Sequence, residues 1–446
     1  MASPKLPVIL LALALSFPTR GGAEEVLTAE DRVLLEKIER DTIQYFIRNS
    51  DRDTGLTQDS SRPGSPASIA ATGFSLASLA VAESRGWISY PKAYDQVRKT
   101  LQTLRNRAHH QNGFFYHFLD TKTGRRVWGS EASSIDTALL IAGALLAGEH
   151  FKGTEIPRLA HDLYERVDWK WMMNGSELIC HGWKPESGFL PYYWDTYNEL
   201  IILLALAIGS PSHPVPPEAW KAWERKEDEY NGKRIVYAHS GSLFTYQYSH
   251  AFIDFRNLWD GELNYFENSR KASEANWEYS LSFRDQYLSY SENSWGLSAC
   301  AGAAGYRAYG GKPGEGIQDG TIAPYASIGS LVFTPERSLA AIRHFYGAYR
   351  DSLYGPLGFK GSFNLNKKWW SREYLGIDQG VSVLMLENFL SGGSVWEKFM
   401  KLAAIQKWIR LSGLAATPSG ETEARAGLPS RQSSHGSGRP PAESLP

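Results

Sequence analysis

Three observations predict an all-α chain. Apolar residues recur at helical spacing through most of 28–411. Glycine and proline punctuate the intervals, and alternating strand-like runs are too few for an α/β sheet. The first helix opens at Thr28-Ala29-Glu30-Asp31, a capping-box pattern, with Leu34, Ile38 and Tyr45 on one side. Ala67 to Ser84 is small and apolar, as a tightly packed helix requires. Tyr94, Val97, Leu101 and Leu104 mark the next helix. Further helices are predicted at 131–150, 155–167, 196–208, 216–229, 274–288, 296–309, 335–351, 379–390 and 394–411. Gly209-Ser210-Pro211, Gly310-Gly311-Lys312-Pro313 and Gly355-Pro356 separate them. The intervals 109–130, 168–195, 239–270 and 355–378 read as long aromatic loops, the usual carriers of function on a helical scaffold.

The chain has 446 residues, enough for a large core. Its 47 Lys+Arg balance 48 Asp+Glu, which argues against nucleic acid as a partner and leaves a neutral polymer open. Residues 1–23 read as an export signal: Lys5 precedes the apolar run Leu6–Phe17, and Gly21-Gly22-Ala23 offers small residues for cleavage before Glu24. A periplasmic or secreted protein without stable membrane insertion after cleavage is expected, with its folded unit over 24–411. After Leu411 the composition turns to Ser, Pro, Gly, Glu and Arg, and 412–446 reads as a disordered tail. Cys180 and Cys300 are the two cysteines; sequence leaves their pairing open. No Cys-x-x-Cys and no helical His-x-x-x-His occurs, so neither metal nor cofactor is expected. GGKPGEG (310–316) lacks phosphate-loop spacing, and no Gly-x-Ser-x-Gly or Gly-x-Gly-x-x-Gly is present.

Aromatic residues are abundant: 15 Trp, 23 Tyr and 19 Phe. Many alternate with polar groups, as in FFYHFLD (114–120), GFLPYYWDTYNE (188–199), YFENS (265–269) and KKWWSREY (367–374). Such mixtures suit sugars, whose C–H faces pack on rings while carboxylates and amides bind hydroxyls; they equally suit a large helical core. Three apolar helices begin with acids. Glu199 directly precedes Leu200–Ile208, and Asp195 lies four residues before it. If both are helical they share a face and repel, which raises a carboxyl pKa, as a proton-donating glycosidase acid needs. Alternatively Asp195 is an N-cap and Glu199 a solvated first-turn residue. Asp378, between Gly376 and Gly380, is a base or a cap. Glu131 and Asp136 stand about 140° apart on a helical wheel, so they do not share a face. If these starts gather at one end of a helical toroid, their acids ring one cleft.

These segments resemble the glucoamylase-like (glycoamylase) family, which includes bacterial endo-β-1,2-glucanases. The stretches that carry the likeness include DRDTGLTQDSS (51–61), GFFYHFLDTKTGRR (113–126), SEASSIDTALLIAGALLAGEHF (130–151), YNELIILLALAIGSPSHP (197–214), YQYSHAFIDFRN (246–257), DGTIAPYASIGSLVFTPE (319–336) and LGIDQGVSVLMLENF (375–389). They run in order over nearly the whole chain except the tail. The resemblance implies an (α/α)6 toroid that hydrolyses β-1,2-glucan with inversion, with Glu199 as general acid and Asp378 as base, acting on water through a relay. It makes Asp120, Glu131, Asp136, Trp194, Tyr197, His250, Asp254, Arg256 and Trp295 candidates for substrate contact. A monomer with endo action is expected. Three alternatives stay open: an exo enzyme releasing sophorose, a glucan-binding protein without turnover, and a lyase, which the near-zero charge disfavours.

Overall fold

The computed structural model describes residues 27–314 and 316–416; the expected export signal over 1–23 and the part of the expected tail beyond Ala416 lie outside them. The helices are α1 (Ala29–Arg48), α2 (Ile69–Ser84), α3 (Tyr90–Asn106), α4 (Ser134–His150), α5 (Ile156–Arg166), α6 (Leu200–Gly209) and α7 (Ala219–Ala222). They continue with α8 (Phe244–Phe252), α9 (Tyr265–Ser282), α10 (Pro324–Gly329), α11 (Pro335–Leu353), α12 (Gly376–Ser391), α13 (Ser394–Met400) and α14 (Ala403–Leu411). The expected capping box is present at α1. Thr28 Oγ1 accepts from Asp31 N–H at 3.2 Å, and Asp31 Oδ2 accepts from Thr28 N–H at 3.0 Å.

Helices α2, α4, α6, α8, α10 and α12 form a barrel. α2 packs on α4, α4 on α6, α6 on α8, α8 on α10, α10 on α12, and α12 returns to α2. Every residue of α6 is buried, as is each residue of α2 from Ile69 to Ala82. A helix enclosed on all sides has no use for a polar face. α3, α5 and α14 bury one side only and lie outside the ring, α3 against α2, α5 against α4 and α14 against α6. Backbones touch where α2 crosses α4: a Cβ on Gly143 would stand 1.9 Å from Gly73 O. α13 touches α4, α8 and α12 together. It follows α12 at once, and Trp396 Nε1 donates to His250 O in the last turn of α8 at 2.6 Å. It therefore closes the barrel at the C-terminal ends of the inner helices. The opposite end holds their N-termini and short antiparallel strands, including the hairpin Ala299–Gly302 with Gly305–Ala308.

Several expectations need correction. Of the helix expected over 216–229, only Ala219–Ala222 is helical. Glu227–Tyr230 instead pairs with Lys233–Val236 around Asn231-Gly232, whose φ values of 48° and 76° suit a tight hairpin turn. The span 296–309 is a hairpin, not a helix: its alanines imitate a helix, and Gly305 turns the chain at φ 109°. The supposed loop 239–270 contains α8 and the start of α9. α8 reads FTYQYSHAF and is buried on all sides from Thr245 on, so no periodicity betrays it. α9 starts earlier than expected because Asn264 caps it, accepting from Glu267 N–H at 3.0 Å. The helix expected over 394–411 breaks into α13 and α14. Folded chain continues past Leu411, since Ala415–Ala416 pairs with Leu258–Trp259. Both cysteines are free and buried.

Candidate active site

The acids at three inner-helix starts converge. Glu199 immediately precedes α6 and is 8% exposed. The neighbouring Asn198 supplies the cap, its Oδ1 accepting from Leu200 N–H at 2.8 Å, so the Glu199 carboxyl is not spent on the helix end. Burial raises its pKa to about 7, against the pull of its own backbone N–H, and the charge of Asp136 adds to the rise. Asp195 is not the cause: it lies exposed in extended chain, where its carbonyl accepts from Glu224 N–H.

Asp378 is the third residue of α12 and is 1% exposed. It does not cap the helix, and neither of its oxygens has a hydrogen-bond donor among the described residues. Burial, then the charge of Asp59, holds its pKa well above the carboxylate range. A cavity of about 10 Å³, water-sized, adjoins it, bounded also by Thr42, Tyr325 and Ser382. Two phenols tie the acids together. Tyr248 of α8 feels the charges of Asp378, Glu199 and Asp136. Tyr306, 58% exposed on the 299–308 hairpin, feels Asp378, Asp59 and Glu199.

His117 organises the third side. Its Nδ1 is 3.1 Å from Glu131 Oε1 and its Nε2 is 3.6 Å from Asp136 Oδ1. Burial alone would depress its pKa; the charge of Asp136, the hydrogen bond His117 donates to Glu131, and Asp59 outweigh that and lift it to about 9. Burial raises Asp136 and Asp59, the latter to about 6, while the same imidazolium pulls both down and, against burial, leaves Glu131 low. Glu131 stands just before the short strand Ala132–Ser133 that leads into α4, not on the helix as expected. Asp136 occupies its first turn, accepting from Ser133 Oγ. Ligand atoms of His117, Glu131 and Asp136 lie within 4.8 Å of one another, close enough for a metal ion. The ring's two nitrogens, however, address different carboxylates, which fits an imidazolium between two anions better than one ion shared by three ligands.

A hollow of about 1440 Å³ opens over this end, lined by Asp59, His117, Phe118, Trp128, Tyr306 and Trp369 among others. Glu199 adjoins it through Tyr306 without lining it. Trp194 also stands at this end: its Nε1 donates to Ser134 Oγ at 2.8 Å and its ring stacks on His181. Other expected contact residues lie elsewhere. Asp120 closes a surface turn, accepting from Thr123 N–H at 2.8 Å. Tyr197 is buried among Tyr246, Tyr265 and Trp223, its hydroxyl 3.3 Å from Ser269 Oγ. His250 sits at the closed end, bonded to Ser269 and walled by Phe255 and Phe333, and burial lowers its pKa to about 3. Asp254 and Arg256 form an ion pair there, with Arg256 over Trp396. Trp295 is fully buried, Nε1 facing Arg337 O. Packing and local hydrogen bonds explain these six better than substrate contact does. Sequence reading missed His117, Asp59, Tyr248 and Tyr306, although FFYHFLD and DRDTGLTQDSS contain the first two.

Residues 191–403 match the glycoamylase family model, described as "putative glucoamylase". Among particular relatives, the chain is 27% identical over 420 residues to the exo-β-1,2-glucooligosaccharide sophorohydrolase (non-reducing end) of Parabacteroides distasonis, covering 85% of this chain and 58% of that protein. The chain thus spans little more than half of that relative's length. The structure of an endo-β-1,2-glucanase from Chitinophaga pinensis matches with a TM-score of 0.81 at 26% identity, over 87% of this chain and 99% of that one. A Bacteroides uniformis protein of the same description as the family matches with a TM-score of 0.83 at 28% identity, over 87% and 99%.

Proposed function

We propose that this chain is a glycoside hydrolase that cleaves β-1,2-linked glucan. One observation carries the reading: Glu199, a buried carboxyl with its pKa raised to about 7, and Asp378 both act on Tyr306 at the edge of one hollow, in a fold whose similar structures include a β-1,2-glucanase. Glu199 is the general acid: protonated below about pH 7, where an ordinary glutamate is already ionised, it gives its proton to the departing glycosidic oxygen. Asp378 is the base. Its raised proton affinity makes it effective once ionised, and it acts on water through a relay, with inversion at the anomeric carbon. Glu131 and Asp136, with His117, bind sugar hydroxyls beside the acid, and Trp194 offers an aromatic edge.

The barrel is an (α/α)6 toroid in this reading, supported by the closed ring of six helices from α2 to α12. The protein works as a monomer, exported to the periplasm or beyond by residues 1–23. The size of the hollow supports endo action; the exo-acting relative keeps release of sophorose as the second reading. Purified protein incubated with linear β-1,2-glucan will release reducing ends. Chromatography of the products separates the modes: a ladder of sizes means internal cleavage, and a single disaccharide means exo action. Binding without products would mark a glucan-binding protein, and an unsaturated product a lyase.

A further inference from the structure

Trp128 is the residue at this end that the fold does not explain. It is 71% exposed, among the most exposed of the large apolar side chains. Its backbone adopts φ 58°, a left-handed conformation that a bulky residue rarely takes. The loop around it is firmly held. Arg126 grips both oxygens of Glu186, Val127 N–H donates to Phe118 O at 3.1 Å, and Ser130 N–H donates to Val127 O at 3.1 Å. Arg126 also lies over the Tyr116 ring. An anchored loop therefore presents an unfavourable backbone and an uncovered indole, and both face the hollow, which Trp128 lines.

Behind the indole runs a chain of ring contacts. The Trp128 ring centre is 5.0 Å from that of Phe118, and Phe118 stacks on His117 at 3.9 Å. His117 then reaches Asp136, whose charge acts on Glu199. Two rings and a carboxylate thus separate Trp128 from the proposed acid.

Resting on the proposed function, we infer that Trp128 is a stacking platform for a glucosyl unit beyond the scissile bond, a distal subsite that favours longer chains. The indole is covered by the C–H face of a pyranose ring, and that contact offsets the strained, solvated conformation of the free protein.

The test compares wild type with Trp128→Asn, which tolerates the left-handed backbone but lacks the ring, and Trp128→Phe, which keeps a ring. Substrates are linear β-1,2-glucan and a β-1,2-linked trisaccharide. Trp128→Asn is expected to raise KM for the long glucan about tenfold, as truncation of a tryptophan anchor does, with kcat and trisaccharide turnover within about twofold. Its melting temperature should equal or exceed that of wild type, and Trp128→Phe should recover most of the affinity. Unchanged KM for the long glucan in an active Trp128→Asn enzyme overturns the subsite alone. A wild-type protein inert toward both glucans overturns the functional reading, and the subsite with it. A lowered melting temperature with equal losses on both substrates assigns Trp128 to structure and overturns the subsite.

Discussion

His117 and Asp136 face each other across 3.6 Å at the open end of the barrel, while the other ring nitrogen of His117 meets Glu131 at 3.1 Å. One cation thus serves several acids, since Asp59 feels it too. The folded pKa of this histidine, about 9, lies above its ordinary value, so its stabilising contribution is complete below about pH 6.5 and disappears as pH rises through about 9. The side chain is a third exposed, which screens the effect to about 1–2 kcal/mol. His117→Ala should therefore lose stability at pH 6 but little at pH 10, measured by urea denaturation. Glucan hydrolysis should fall at least about tenfold, because the acids left behind raise one another's pKa.

Asp31 shows the opposite sign. Arg343 of α11 donates to both of its oxygens, and against partial burial this bond, with the Thr28 cap, lowers its pKa to about 2. A depressed carboxylate contributes stability above its unfolded pKa and loses it as pH falls toward 2. Asp31→Asn should destabilise the protein by about 1 kcal/mol at pH 7, after allowance for the solvated arginine, with the difference vanishing near pH 2. Thermal melts of both proteins from pH 2 to 7 measure it.

Local chemistry was the part of the fold readable from sequence. Thr28 and Asp31 lie three residues apart and cap as expected, and the apolar runs of α2, α4, α6 and α12 are helices. Asn231-Gly232 was an equally local turn signal that the helical expectation over 216–229 overlooked. α8 was not readable, because a helix buried on all sides yet rich in Tyr, Gln, Ser and His has no periodic face. At the site, Glu199 attracted attention through Asp195, but its pKa is raised by burial and by Asp136. Such a pairing depends on the ring closing. So does His117 meeting Asp136, and no spacing along the chain encodes either. Trp128's left-handed backbone has no sequence signature at all.

Ring closure depends on the contact between α2 and α4. Gly143→Ala would put a methyl carbon 1.9 Å from Gly73 O, against backbone that cannot yield without displacing a whole inner helix. Overpacking of this kind costs about 1–3 kcal/mol, and more where backbone must move. The variant should melt well below wild type or fail to fold. Gly153→Ala is the control for lost backbone freedom: Gly153 has φ 81° and nothing within 4 Å of its Cβ position, so it carries strain without a clash and should cost less.

Glu199 joins stability to chemistry. Its folded pKa of about 7 exceeds the ordinary 4.5, so the fold prefers the protonated side chain. As pH rises from 4.5 to 7 the unfolded chain ionises and the folded one does not, and wild type loses up to about 3 kcal/mol. Glu199→Gln, neutral at every pH, should be more stable than wild type at pH 8, by about 1–3 kcal/mol, and nearly equal to it at pH 4. The same substitution removes the transferable proton, so turnover of linear β-1,2-glucan should drop by at least about a thousandfold while glucan binding persists. In wild type the alkaline limb of kcat/KM should fall near pH 7, where the free enzyme gives up this proton. A variant that is both more stable at pH 8 and inactive places acid and strain on one side chain; retained turnover would remove Glu199 from the chemistry, whatever its pKa.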